Sequence, residues 1–317
     1  MVAVLHDGYR LLGILLVLVL IGCAEEPAQP LRIGTNIWPG YEPLYLARSL
    51  GYFSDQDVRL VEYSSSSQVL RAYRNGAIDA AALTLDEVLM LAEEGFEPRV
   101  VLIMDVSAGG DVIIGQAGLT AMGDLKGLRV GFENSALGSY VLSRALELAN
   151  LSIPDVIKVP LELDEHEGAF LQHQVDAVVT FEPVRNRLLS QGGVLLFDSN
   201  QIPGEIVDVL VVREKALEKE RRRVRNLLYQ WFRALAYLDA QEEDAAERMS
   251  LRLGLPPEEV LQVYSGLLFP DRDRNVEMLG GGDLKKSARL LSRVMSENGL
   301  LIRPVNVDRV FSDPVLD

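Results

Sequence analysis

The sequence predicts an α/β fold built from two similar lobes, and three observations carry that reading. From residue 31 onward, short β-rich runs alternate with amphipathic stretches of helical period, the pattern of parallel strands joined by helices. The run Asp79-Ala80-Ala81-Ala82-Leu83-Thr84-Leu85-Asp86 recurs in form about a hundred residues later as Asp176-Ala177-Val178-Val179-Thr180-Phe181-Glu182. No shorter period repeats, so two lobes are expected rather than a solenoid.

The elements follow in order. Residues 31–36 read as a strand and 41–52 as a helix; 58–63 is a strand and 67–75 a helix stopped by Gly76. Residues 80–83 form a short buried strand, and 86–94 a helix with Asp86 as its N-cap and Gly95 behind it. Residues 100–106 are a long apolar strand. A second series starts near Gly123, with a turn at 124–127, a strand at 129–132 and a strongly periodic helix at 135–150. Strand 156–160, helix 165–173, strand 177–181, helix 182–191 and strand 193–197 complete it, and 206–212 is one more apolar strand. From 215 the reading is helical, in pieces 215–241, 242–253, 257–265 and 282–298. Pro256 and Pro257 open their helix, where a missing N–H costs nothing.

Composition excludes several functions. The 46 acidic and 31 basic side chains give a net charge of −15 with no basic stripe, which rules against nucleic acid as a partner. One cysteine makes no internal disulfide or thiolate cluster. Three histidines (His6, His166 and His173) leave no metal constellation, so neither a metal nor a cofactor is expected.

The first segment concerns address. Residues 11–21 are an unbroken apolar run, too short for the roughly 20 residues of a bilayer-spanning helix. The run fits the hydrophobic region of a signal peptide, about 7–15 residues long. Leu20-Ile21-Gly22-Cys23 follows and resembles the bacterial lipobox, with the only cysteine at the position that takes the lipid. Residues 1–22 are therefore read as a signal peptide and 23–30 as a tether lipidated at Cys23, outside the cytoplasm.

In open α/β sheets ligands bind beyond the carboxyl ends of strands, where helix N-termini present free N–H groups. The strand map puts Trp38, Tyr41 and Glu42 after the first strand, and Ser65 and Ser66 after the second. Thr84 and Asp86 follow the third strand, and Gly110 and Asp111 follow the fourth. In the second series Ser135 opens the long helix, while Thr180 and Glu182 end a strand. Each has an ordinary structural alternative: core packing for the aromatics, helix capping for the hydroxyls and acids, a hinge for the glycine. These segments contain acids and aromatics but no Lys or Arg, which favours a neutral or cationic nitrogen-bearing ligand over a simple anion. Helix N-termini alone can also hold an anion, so that alternative stays open.

The lipobox followed by RIGTNIWPGYEPLYLARSLGYF resembles the start of periplasmic substrate-binding proteins of the nitrate/sulfonate/taurine type, a family that includes binders of thiamine-pyrimidine precursors. NGAIDAAALTLDEVL, the Ser107–Asp111 stretch, DLKGLRVGFE and the run from Asp176 to Pro183 extend the resemblance over nearly all of the chain past the leader. The resemblance implies a type II periplasmic binding fold. One lobe would take 31–112 plus 209–317 and the other 113–208, joined by a hinge crossed near 107–111 and 203–208. It further implies a monomeric, lipid-anchored, non-enzymatic protein that captures a small molecule in the cleft and delivers it to an ABC permease. Two alternatives remain at this stage. One is a ligand sensor docking to a membrane receptor. The other is an enzyme on the same fold, of the thiamine-pyrimidine-synthesis kind, which would want a cleft histidine.

Overall fold

The computed structural model describes residues 29–133, 135–311 and 315–316. The leader and Cys23 lie outside the described residues. Among the described residues no helix is long and apolar enough to cross a membrane.

The chain from Leu31 onward begins with β1 (Leu31–Thr35), α1 (Glu42–Ser49), β2 (Val58–Glu62), α2 (Ser66–Arg74), β3 (Ala80–Thr84), α3 (Leu85–Glu93) and β4 (Pro98–Ser107). It continues through β5 (Asp111–Gly115), β6 (Arg129–Glu133), α4 (Ala136–Leu148), β7 (Ile157–Leu161), α5 (His166–Leu171), β8 (Ala177–Phe181), α6 (Val184–Ser190) and β9 (Val194–Asp198). After β10 (Val207–Arg213) come α7 (Glu214–Ala240), α8 (Glu242–Leu253), α9 (Pro257–Tyr264), β11 (Leu267–Leu268), α10 (Arg272–Gly280), α11 (Gly282–Glu297) and α12 (Val307–Val310).

The strands form two sheets, ordered β11-β4-β10-β3-β1-β2 and β7-β6-β8-β5-β9. The α/β character and the two halves expected from the sequence are both present. The halves share one plan. In the first, β1 lies parallel between β2 and β3, and β10 runs antiparallel beside β3. In the second, β6 lies parallel between β7 and β8, and β5 runs antiparallel beside β8. The recurrent Asp has one job in both. Asp79 accepts from the backbone N (3.0 Å) and Nε (2.9 Å) of Arg32, whose Nη2 also reaches the Gly76 carbonyl (3.2 Å). Asp176 accepts from the backbone N (2.8 Å) and Nε (3.0 Å) of Arg129, whose Nη2 reaches the His173 carbonyl (3.0 Å). Each Arg thus ties the first strand of its unit to the turn that launches the third.

Helices cover both faces of each sheet, so the central strands are buried from end to end, as in Ala80–Thr84 and Ala177–Phe181. One apolar cluster runs from the first half into the second, joining Trp38, Leu83 and Leu210 to Val178, Phe181 and Leu188. A smaller one lies under α4 around Phe132, Val141 and Phe197.

Several local expectations need correction. β5 is a central strand where the sequence predicts no element, because Val112-Ile113-Ile114 is a short run bracketed by Gly109, Gly110 and Gly115. α10, β11 and α12 also lie in stretches left unassigned. Asp86 is not an N-cap: Thr84 holds that position, and Asp86 sits in the first turn of α3. The chain passes between sheets twice, from β4 to β5 and from β9 to β10.

Candidate functional site

The carboxyl ends of the first-half strands face the second half, and the contacts between them are specific. The Trp38 ring meets Phe181 edge-on, with centroids 5.3 Å apart. The backbone N–H of Ser67, in the first turn of α2, donates to Glu133 Oε1 at 2.7 Å. Ser65 caps α2 and donates from Oγ to Glu162 Oε2 at 2.5 Å, and Arg71 stands 3.5 Å from the same carboxylate. Where the chain crosses, Ser107 and Ser199 share a hydroxyl hydrogen bond (2.8 Å), and Gly109 N–H donates to Ser199 (2.7 Å).

Behind these contacts lies a ring of buried acids. Strand register places Asp208 of β10 opposite both Thr84 of β3 and Asp105 of β4, so three polar side chains line up across an apolar sheet. Asp86 and Glu87 come from the first turn of α3, and Asp111 from the start of β5. All five acids are between 0% and 3% exposed. Trp38 Nε1 donates to Asp105 at 3.2 Å, and the Tyr41 hydroxyl donates to Asp208 at 2.5 Å. The Thr84 N–H donates to Glu87 at 3.2 Å, which holds the capping box closed. Asp105 Oδ1, Asp111 Oδ2, Asp86 Oδ2 and Glu87 Oε1 have no hydrogen-bond partner.

Electrostatics follow from this crowding. Burial pushes the Asp111 carboxyl up to about 7, with Asp86 adding to the rise. Burial also raises Asp105, Asp86, Glu87 and Asp208. Asp111 raises Asp105 further, Asp86 raises Glu87, and Asp105, Asp111 and Glu87 raise Asp208. No Lys or Arg enters the balance of any of the five. Two glycines let the walls close in. A Cβ on Gly40 would fall 1.9 Å from Asp105 Oδ2, and one on Gly110 would fall 2.9 Å from the Trp38 ring.

The structure therefore gathers six of the sequence-selected residues: Trp38, Tyr41, Thr84, Asp86, Gly110 and Asp111. The others do different work. Glu42 opens α1 but is bonded to Arg252, which also takes Glu62 at 2.5 Å. Ser65 and Ser66 stand at the rim beside Glu162 and Glu133. Ser135 caps α4, its Oγ accepting from Gly138 N at 3.3 Å. Thr180 faces His166 Nδ1 at 3.2 Å, a ring that burial keeps neutral with its pKa lowered to about 4. Glu182 pairs with Arg185 at 2.8 Å. Sequence reading missed Asp105, Asp208, Glu87 and Glu133. For the first two a signal existed: each is a lone acid inside an otherwise apolar strand, Pro98–Ser107 and Val207–Arg213. Among the described residues no group of three His, Cys, Asp or Glu is arranged to hold a metal ion. A separate groove of about 860 Å³ runs between α4 and α11, past Tyr140, Arg144 and Leu291, and none of the five acids lines it.

Comparison with known proteins gives the lineage. The chain belongs to the NMT1-like family, which its residues 24–252 match. It is 25% identical over 252 residues to a protein of Escherichia coli (strain K12) named for binding aliphatic sulfonates, covering 78% of each chain. The solved alkanesulfonate-binding protein SsuA from Xanthomonas axonopodis pv. citri, bound to MOPS, superposes with a TM-score of 0.77 at 21% identity, over 90% of this chain and 99% of that one. A desulfurization enzyme superposes with a TM-score of 0.68 at 17% identity, over 90% of this chain and 97% of its own. The fold is that of the periplasmic binding proteins, and a fold that also carries an enzyme does not by itself choose between binding and catalysis.

Proposed function

We propose that this member of the NMT1-like family is an extracytoplasmic solute-binding lipoprotein. It closes its two halves over a small molecule and hands that molecule to an ABC permease. The observation that carries the reading is the joint between the halves. Unpartnered polar atoms from α3, β4 and β5 are sealed there beneath direct contacts from both sides, Trp38 to Phe181 and Ser67 to Glu133. Such atoms cost free energy unless something answers them, and a ligand captured on closure can do so. The E. coli relative, named for binding a small solute, supports the same reading. Capture and release need no covalent step; the ligand favours the closed state by its extra affinity for it.

The site residues proposed to meet the ligand are Trp38, Tyr41, Thr84, Asp86, Gly110 and Asp111, with Ser65 and Ser66 at the rim. The hinge is proposed to be the pair of crossings around Gly109 and Gly204, both at positive φ. Small-angle scattering on the delipidated protein, with and without a compound that raises its melting temperature, tests closure. A smaller radius of gyration with the compound is expected, and an unchanged radius at saturation refutes capture by closure. For the anchor, Cys23→Ser is expected to move the protein from the membrane to the soluble fraction. Unchanged membrane retention refutes lipidation at that residue.

A further inference from the structure

The acid ring sets the chemical class of the solute. We propose that Asp86, Glu87, Asp105, Asp111 and Asp208 receive the positively charged nitrogen of an organic cation, a protonated amine or an amidine, whose apolar portion lies beside Trp38. The inference rests on the solute-binding reading and narrows it.

The geometry supports a cation on three counts. First, the acids come from four separate elements, α3, β4, β5 and β10, that meet only at this point. Their mutual repulsion runs around the ring, from Asp105 to Asp111, Asp86, Glu87 and Asp208 and back to Asp105. A fold has no structural use for five carboxyls in one dry place, since burying each costs free energy and any one that ionises makes ionising its neighbours harder. Second, free acceptor positions remain. Asp105 spends one oxygen on Trp38, and its Oδ1, like Asp111 Oδ2 and Glu87 Oε1, has no donor. An ammonium brings three N–H donors and an amidinium four, and an ionised carboxylate offers acceptors and no donor. Third, the cations that approach the cleft are already matched. Arg252 is held by Glu42 and Glu62, Arg185 by Glu182, and Arg71 stands against Glu162. A sulfonate entering here would meet the carboxyls with no positive side chain to offset it. A bare metal ion is a poor fit, because among the described residues no group of three His, Cys, Asp or Glu is arranged to hold one.

Closure over a cation would also ionise part of the ring. Asp105, pushed up to about 8, and the strongly raised Glu87 and Asp208 hold protons at pH 7.5 when nothing positive is present, Asp111 near 7 only in part, and an ammonium favours the carboxylate forms. The groups facing the ligand nitrogen are Asp86 and Glu87 on α3, Asp105 on β4, Asp111 on β5 and Asp208 on β10. Tyr41 and, more distantly, Glu133 of β6 and Tyr140 of α4 surround them. Binding should therefore release protons to the buffer.

The test is a thermal-shift and calorimetry panel on the delipidated chain at pH 7.5. The cations are benzylamine, benzamidine, putrescine and agmatine; the matched probes are benzyl alcohol, phenylmethanesulfonate and MOPS. At least one cation is expected to raise the melting temperature and bind with proton release, while the sulfonates leave it unmoved. Asp105→Asn combined with Asp111→Asn is expected to weaken the binding cation at least tenfold. The ligand-free melting temperature should stay equal or rise, which separates lost binding from lost folding. Binding of either sulfonate or the alcohol with no response to the cations overturns the cation class and leaves the solute-binding reading standing, because a protonated carboxyl would then be donating to ligand oxygen. A flat response to all seven probes overturns the cation class and counts against solute capture as well.

Discussion

The two halves have the same strand plan and the same Arg–Asp clamp, yet they treat their acids in opposite ways. In the second half Glu182 has Arg185, Glu167 has Arg187, and Glu205 of the returning crossing has Arg144 at 2.8 Å; Glu133, bonded by the Ser67 N–H, and Asp111, which joins the acid ring, are the exceptions. At the matching level of the first half, Asp86, Glu87, Asp105 and Asp208 have hydroxyls, an indole and backbone N–H groups but no cation. The clamp shows what a duplicated unit needs in order to fold. The acids show where the halves stopped being equivalent, and a departure from folding economy at one strand end is what a binding surface looks like.

Three experiments break or sharpen that comparison. The largest effect should come from titration. The unfolded chain releases an Asp proton near pH 4, while folded Asp111 keeps its proton to about 7. Between those values the folded state binds more protons, so stability falls as pH rises through that window and levels off above it. A shift of that size is worth on the order of a few kcal/mol. Melting curves from pH 5 to 8 should slope downward, and Asp111→Asn should flatten the slope and raise the melting temperature at pH 8. The sign reverses in the second half. Arg144 and the Tyr140 hydroxyl hold Glu205 below the usual carboxylate range, so Glu205→Gln should cost about 1 kcal/mol at pH 7. Equal signs for the two variants would erase the distinction drawn here.

Next in size is Gly40→Ala. With Asp105 and Trp38 both inside 2.5 Å of the new Cβ, the wall of the acid ring must shift. Overpacking of this kind costs about 1–3 kcal/mol, read as a lower denaturant midpoint with an unchanged slope. The smallest effects should be the clamps. Arg32→Ala and Arg129→Ala each remove a half-exposed guanidinium from the same pair of partners, an Asp carboxylate and a turn carbonyl, so each should lower the denaturant midpoint slightly and the two effects should add. A twofold difference between them would mean the halves are not equally dependent on the device.

Much of this was legible in the sequence. The recurrence of Asp79-Ala80 and Asp176-Ala177 marks the third strand of each unit, and Ala177–Phe181 has the bounds read from sequence. β5 was hidden because its apolar run is only three residues long between glycines, and the two antiparallel ladders that secure it are set by distant strands. At the site, local signals reached Trp38, Tyr41, Thr84, Asp86 and Asp111, which sit where strands give way to helices. They could not reach Asp105 or Asp208. Those acids meet Thr84 only through the register of β3, β10 and β4: β10 stands between two strands that are near each other in sequence but comes about a hundred residues after β4. Glu42 and Glu182 looked equivalent to Asp86 in sequence, and only long-range or next-turn arginines set them apart.

The position of β10 bears on how the protein is made. Its two ladders join β3 to β4, so before residue 207 leaves the ribosome the first sheet consists of β2-β1-β3 and a detached β4. The second sheet has no such debt: its five strands lie between Asp111 and Asp198 in one uninterrupted stretch. During vectorial synthesis or export, the half translated later is therefore the first whose sheet can be completed. The acid ring is assembled last, when Asp208 arrives beside Asp105.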